Sequence, residues 1–295
     1  MKLGKLKQIW RYPVKSMGGE PVVSAVIGRN GLAGDRCWAV INAESNEITN
    51  AKRWPELLNY RATLQAADDL QSSGYDDDVP DVDVHCPNGD VFGGRGNNSA
   101  ELFSANLGKQ VRLVPLADSS NRNHYRLARK RTPEIMAQEL LLLEDEAYPD
   151  FSGTPKELAA ALSDCVTPPG TYVDAFPLHM MTTNSLQYLS EKGNVDAITE
   201  RYRPNLLVEP SEQLAEMTEN SWVDCRVQVG EAILRIHSRT VRCSMPSREQ
   251  QWCGAKAEKK MMRAVVDHCD RHLGVNIFVE KGGLVSTDQD IVLLT

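Results

Sequence analysis

The alternating run Val227, Val229, Ala232, Leu234 and Ile236 restricts the fold of this chain more than any other feature. Alternation puts apolar side chains on one face of a strand, and that face needs a core and a sheet to sit in. The run leads into Arg239-Thr-Val-Arg-Cys-Ser-Met-Pro246, so Cys243 leaves the strand for a turn directly beside Arg242. A thiol among arginines at a strand end is electrostatically favoured as thiolate. It suits a nucleophile, a metal ligand or a redox thiol, although a free cysteine is also simply a small buried hydrophobe.

The remaining chain repeats the strand theme. Residues 3–14 open as a strand, Pro21 to Ile27 form a second, and Gly28-Arg-Asn-Gly31 marks a turn. Cys37 to Asn42 is apolar enough for a buried strand, Glu47-Ile-Thr is a short one, and Pro55 to Leu58 a helical turn. Asn88-Gly89, between Val82–Cys86 and Val91-Phe92, supplies the positive φ of a tight hairpin. Ser99 is expected to cap a helix running to Leu107 and ended by Gly108, ahead of a strand at Val111 to Leu116. Short strands at this spacing predict a mostly β, α+β fold with a few peripheral helices. The acidic stretch from Ala66 to Pro80 reads as a solvated loop.

Beyond Leu116 the pattern loosens. Residues 117–171 form an irregular, partly helical connector, with helices at Glu134–Leu143 and after Thr154-Pro155. A strand at Phe176–Met181 leads into a helix at Leu186–Lys192, and Leu206–Glu209 is another strand. Arg203, preceding Pro204, is expected to be extended. A helix from Ala255 to Arg271 precedes strands at 274–280 and 290–294. These observations divide the chain into an N-terminal β-rich domain, 1–116, and a second domain, 117–295, that begins with the connector.

A net charge of -7 gives no footprint for nucleic acid. The longest apolar cluster, Leu140 to Leu143, is too short to span a bilayer, and no apolar segment follows the basic start, so a cytoplasmic protein is expected. Seven scattered cysteines without a Cys-x-x-Cys pair argue for reduced thiols. Gly93 to Asn98 lacks the Lys-Ser/Thr of a phosphate loop, and the acidic stretch lacks calcium-ligand spacing. His268 and His272 fall four apart on the expected helix without a carboxylate motif, and read as surface or core histidines. Arg122, Arg126, Arg129, Lys130 and Arg131 form a basic cluster, a solvated face by default and otherwise a contact for an anion or acidic partner.

Lys15-Ser16, Asp35-Arg36, Thr182-Thr183, Arg203-Pro-Asn205 and Arg242-Cys243 all fall at or near proposed strand ends. Several cations with hydroxyl groups suit a multiply charged anion, and a thiolate beside them suits a soft metal. Together they suggest a phosphate-bearing metal cofactor. Tyr12-Pro-Val-Lys-Ser16, Gly34-Asp-Arg-Cys-Trp-Ala-Val40, Arg203-Pro-Asn205 and Arg242-Cys243 resemble the molybdenum cofactor sulfurase C-terminal (MOSC) domain proteins. More narrowly, the resemblance is to members with an N-terminal β-domain, such as amidoxime-reducing proteins, and it covers essentially the whole chain.

The resemblance implies a MOSC β-barrel and an N-terminal β-domain enclosing a molybdenum-molybdopterin cofactor. Cys243 would be the thiolate on molybdenum, with Lys15, Ser16, Arg36, Arg203, Asn205 and Arg242 holding the pterin and its phosphate. Thr182 and Thr183 are expected to supply hydroxyl contacts, and Gly274 to Asn276 a last strand that approaches the cofactor. The implied activity is reduction of N-hydroxylated small molecules by a monomer that takes electrons from a separate flavoprotein or ferredoxin-like donor. The alternative is a carrier of sulfur or of the cofactor through Cys243. Two departures bear on substrate class: the family's Thr/Val-Asp-Pro after the cysteine is here Met245-Pro-Ser-Arg-Glu-Gln250, and an aromatic near the last strand is Asn276.

Overall fold

The computed structural model describes residues 1–65, 79–211 and 217–294, so most of the acidic stretch expected as a loop lies outside the described residues. The chain begins with β1 (Lys2–Arg11), β2 (Glu20–Val22), β3 (Ser24–Gly28), β4 (Gly31–Leu32) and β5 (Trp38–Asn42). The strand expected over Pro21–Ile27 is therefore two. Val23, 76% exposed, separates β2 from β3, and the pieces join different sheets. Glu47-Ile-Thr forms only an isolated bridge, Ile41 to Ile48. β6 (Arg61–Leu64), β7 (Val82–His85) and β8 (Val91–Gly93) make a meander whose last turn places Gly89 at φ 93°. Helix α1 (Ser99–Leu107) ends at Gly108, φ 68°, as expected. Its cap position is Asn98, and Ser99 instead donates its hydroxyl to the Gly94 carbonyl, 3.2 Å.

After β9 (Val111–Pro115), the connector carries α2 (Arg122–Tyr125), α3 (Pro133–Leu140) and α4 (Lys156–Asp164). Then follow β10 (Leu178–Thr182), α5 (Thr183–Gly193), α6 (Thr199–Tyr202), β11 (Leu206–Pro210), β12 (Arg226–Val229) and β13 (Ala232–Val241). Helix α7 (Met261–Cys269) is shorter than the expected Ala255–Arg271. Residues before it are held as loop: Ala255 bridges Gln250, and the Lys256 carbonyl accepts from Arg201. His272 opens β14 (His272–Lys281) and so does not share a helix face with His268. β15 (Gly283–Ser286) and β16 (Asp290–Leu294) complete the chain. Among the described residues, no helix is long and apolar enough to cross a membrane.

Seven strands close a barrel in the order β1-β16-β12-β13-β14-β10-β11 and back to β1, with β2 extending one edge of β1. Every neighbouring pair is antiparallel except β10 with β11. Leu6, Ile9, Leu178, Met180, Val208, Leu234, Ile236, Val275, Ile277 and Ile291 fill it. A second core, built around Trp38, Val40, Leu57 and Phe103, belongs to the N-terminal sheets and α1. Ala39 and Ile41 face a third, with Tyr125, Cys165 and Tyr172 of the connector. Both faces of β5 are thus buried, as its continuous apolar run requires.

The first strand closes a barrel otherwise built from the second half of the chain. Gly4 pairs with Pro210, and a Cβ at Gly4 would lie 2.4 Å from the Glu209 carbonyl oxygen. Only glycine lets β1 and β11 approach here. Gly4→Val should lower stability by about 1–3 kcal/mol through overpacking at the seam, read as a lower urea midpoint with unchanged slope.

Candidate functional site

Ser16, Arg36 and Arg203 adopt left-handed backbone, with φ 70°, 47° and 56°. Non-glycine residues rarely do so, and such conformations persist only where surrounding contacts over-determine them. Arg203 was expected to be extended. Instead it caps α6, its N–H donating to the Thr199 carbonyl at 3.2 Å, while its guanidinium packs 4.3 Å from the Tyr12 ring centroid and donates to the Met17 carbonyl. Those contacts outweigh the preference imposed by Pro204.

Arg36 stacks on the same Tyr12 ring, 5.0 Å from its centroid, and pairs with Asp35. It also donates to Asn205 Oδ1 and to the Arg203 carbonyl, both at 3.3 Å. Asn205 joins the two halves of the chain: its Nδ2 donates to the Trp10 carbonyl at 3.2 Å, and its N–H to the His179 carbonyl at 2.8 Å. His179 Nε2 lies 3.3 Å from Arg242 Nη1, and Arg242 Nη2 donates to the Tyr202 carbonyl at 2.9 Å. A Cβ on Gly274, φ 78°, would fall 2.4 Å from His179 Nε2, so this glycine admits the imidazole. Lys15, 3% exposed, donates to the Tyr172 carbonyl at 3.0 Å and pairs with Asp174, whose other oxygen takes Lys52 at 3.0 Å.

Lys15, Arg36, Arg203 and Arg242 are enclosed or nearly so, and of these four Lys15 and Arg36 have carboxylate partners among the described residues. Arg203 and Arg242 rest on carbonyls and aromatic faces, with no ion pair among the described residues. Burial, with Arg36 beside it, lowers the Arg203 pKa to about 10, and burial also pushes Arg242 down. Both effects mark charge in need of an anion. The Arg242 Nε and Tyr12 hydroxyl are buried without a hydrogen-bond partner among the described residues. Cys243, a free thiol, is half-buried directly after Arg242. Burial opposes the charge on Lys52, but Asp174, Cys243 and Glu139 outweigh it and raise the pKa.

Residues 3–103 match the MOSC N-terminal beta barrel domain, and residues 168–292 match the MOSC domain. The chain belongs to the MOSC-domain family. An 82-residue stretch is 38% identical to "Mitochondrial amidoxime-reducing component 1" of Homo sapiens, covering 26% of this chain and 24% of that protein. Among solved structures, the YUAD protein from Bacillus subtilis is 12% identical with a TM-score of 0.45, over 98% of this chain and 93% of that one. YiiM from Geobacillus stearothermophilus is 13% identical with a TM-score of 0.31, over 41% and 55% of the respective chains.

In this MOSC protein the structure gathers Lys15, Ser16, Arg36, Arg203, Asn205, Arg242 and Cys243, with the Ser16 hydroxyl accepting from the Ala51 N–H at 2.9 Å. It does not gather Thr182. That hydroxyl accepts from the Ser185 N–H, capping α5, and donates to buried Glu219 at 2.6 Å. Thr183 begins the same helix, half-buried. Asn276 turns to β13, where it accepts from Thr240 at 2.9 Å and donates to Ser238 at 3.1 Å. Sequence reasoning missed Lys52, Asp174 and His179. The last two stand just before and at the start of β10, where the same strand-end logic that chose Lys15 and Arg203 would have found them. An open groove of about 960 Å³ by α1, lined by Trp54, Glu101, Lys109 and Arg112 among others, contains none of these residues.

Two outcomes follow from these placements. Thr182→Ala should cost about 1 kcal/mol through the lost cap and leave any ligand at the cation cluster in place, measured by paired melting and binding assays. His179 is held well below its usual 6.5 by burial and then by Arg242 and Arg36. Below about pH 6.5 the unfolded chain therefore takes up a proton that the folded one refuses, and stability falls as pH drops. His179→Gln should flatten the fall in melting temperature between about pH 7.5 and 5.5. Asp174 adds no pH dependence in that window: desolvation opposes its charge, but Lys15 and Lys52 outweigh it and hold its carboxyl well below 3.8, so its stabilisation is constant there.

Proposed function

We infer that this protein is a molybdenum-cofactor enzyme that reduces N-hydroxylated small molecules, with Cys243 as the protein ligand of the metal. The observation that carries the reading is a half-buried free thiol beside a buried cation cluster, two of whose guanidiniums lack carboxylate partners among the described residues. Membership of the MOSC family and the amidoxime-reducing relative support the reaction class.

The residues present fit such a group. An anionic pterin phosphate would neutralise charge that the fold leaves unbalanced, and the unpartnered Arg242 Nε and Tyr12 hydroxyl offer it further donors. A cysteine thiolate is a suitable soft ligand for the metal, and Cys243 directly follows Arg242 of the cation cluster. When bound, the cofactor supplies a two-electron oxygen-atom acceptor. Arg36 and Arg203 are fixed by the Tyr12 face, Asn205 fixes Arg36, and neutral His179 sets the Arg242 fork without adding charge. Overall, a hydroxylamine or amidoxime plus two electrons and two protons becomes the amine or amidine plus water. A separate flavoprotein or ferredoxin-like partner provides the electrons.

Protein made in a host that synthesises the cofactor should contain near-stoichiometric molybdenum and oxidisable pterin, and reduce amidoximes with a flavin reductant. Cys243→Ser should lose the metal and turnover while keeping the fold. Well-folded wild-type protein with neither metal nor pterin would overturn the reading, and a persulfide on Cys243 without molybdenum would replace it with a sulfur carrier.

A further inference from the structure

Cys243 follows the end of β13, beyond the last ladder pair Val241 with His272, so the sheet does not hold its own backbone. Three bonds from outside the strand fix its neighbours instead. The Arg242 N–H donates to the Arg271 carbonyl at 2.9 Å, and the Ser244 N–H donates to the Glu139 carbonyl at 3.2 Å. The Arg242 carbonyl accepts from Arg271 Nη1 at 3.0 Å.

The Arg271 guanidinium reaches further. Nη1 also donates to the Leu140 carbonyl at 2.8 Å, Nη2 to the Leu141 carbonyl at 3.2 Å, and Nε and Nη2 both pair with the Glu146 carboxylate. The side chains of this pair are 4% and 8% exposed. Asp270 and Arg271 are consecutive left-handed residues, φ 49° and 59°, a conformation costly for non-glycine residues that the tight turn from α7 into β14 requires. Glu139 adds a second tie, since its carboxylate pairs with Arg53 of the N-terminal half at 3.3 Å.

We propose that Arg271 is a positioning residue for Cys243. It grips the carbonyl that precedes the cysteine and locks it to the end of α3 and to the loop reaching Glu146, so the connector sets where the thiol stands. The planar fork is essential: it meets carbonyls of two segments and a carboxylate at once, which an ammonium cannot. Calling Cys243 the working thiol rests on the function proposed above, whereas the positional claim is tested without any cofactor.

Arg271→Lys keeps the charge opposite Glu146 and loses the fork, and Arg271→Met loses both. The test is the rate of iodoacetamide alkylation of each cysteine in cofactor-free protein, resolved by peptide mass spectrometry, alongside melting temperature. Arg271→Lys should melt within a few degrees of wild type yet alkylate Cys243 about tenfold faster, as local opening of a released segment predicts, with Cys225 unchanged. Arg271→Met should show the same selectivity with a lower melting temperature. An Arg271→Lys protein whose Cys243 rate matches wild type overturns the proposal, even if Arg271→Met fails to fold. Neither outcome alters the molybdenum test, so the two readings fail separately.

Discussion

The pairing of β1 with β11 is the constraint on which the site depends. It closes the barrel with the first strand of the chain and, at its far end, sets the Trp10 N–H against the Asn205 carbonyl at 2.8 Å. From there the backbone runs directly into Tyr12 and Lys15, while β11 is entered from Arg203 and Asn205. Cations more than a hundred residues apart in sequence are thus delivered to one place by a main-chain ladder. Ion pairing alone would not assemble them, because Arg36 disfavours charge on Arg203, and Arg36 and Arg242 disfavour it on His179. Cooperative backbone hydrogen bonds and a shared apolar core overcome that repulsion.

The way each cation is held follows from the same conflict. A buried guanidinium fully paired with carboxylates is internally neutral and has little left for a ligand. Here Arg203 and Arg242 meet carbonyls and the faces of Tyr12 and Tyr202, which satisfy hydrogen bonds and stabilise charge without cancelling it. Lys15 is different: Asp174, with its side chain 52% exposed, pairs with it from the solvent side while its other oxygen takes Lys52, so one carboxylate serves two ammonium groups. The cluster therefore has an inner part with uncancelled charge and an outer part whose counter-ion belongs to the chain.

Much of this was legible in the sequence because alternation and turn residues locate strand ends, and the gathered residues lie within a few positions of such ends. What alternation located less well was direction. Leu178 and Met180 point into the barrel core, so His179 between them points the other way, toward Arg242. Thr182 shares the parity of Leu178 and Met180 and meets buried Glu219. Hydroxyl-rich chemistry drew attention to Thr182-Thr183, while the parity of the same strand selects His179. Asn276 follows a similar rule, its amide being spent on the neighbouring strand. The extended geometry expected at Arg203 failed because a proline preference is local, whereas the contacts that fix this residue come from Tyr12 and Met17, distant in sequence.

The loops around Cys243 pose a separate problem, because irregular backbone inside a protein leaves carbonyls with no ladder to join. Two buried arginines take the ladder's place. Arg201, 2% exposed, donates to the carbonyls of Asp196, Pro246, Arg248 and Lys256 at 2.8–3.3 Å, and Arg271 does the same for Leu140, Leu141 and Arg242. One arginine thus organises the segment after the cysteine and the other the segment before it. Both grip main-chain oxygens, which every residue type carries, so the loop's path rests on its backbone as well as on buried side chains such as Pro246 and Gln250. Arg201 and Arg271 thus tie the segments on either side of Cys243 to the fold through main-chain oxygens, atoms that the departure from Thr/Val-Asp-Pro at Met245-Pro-Ser-Arg-Glu-Gln250 leaves unchanged.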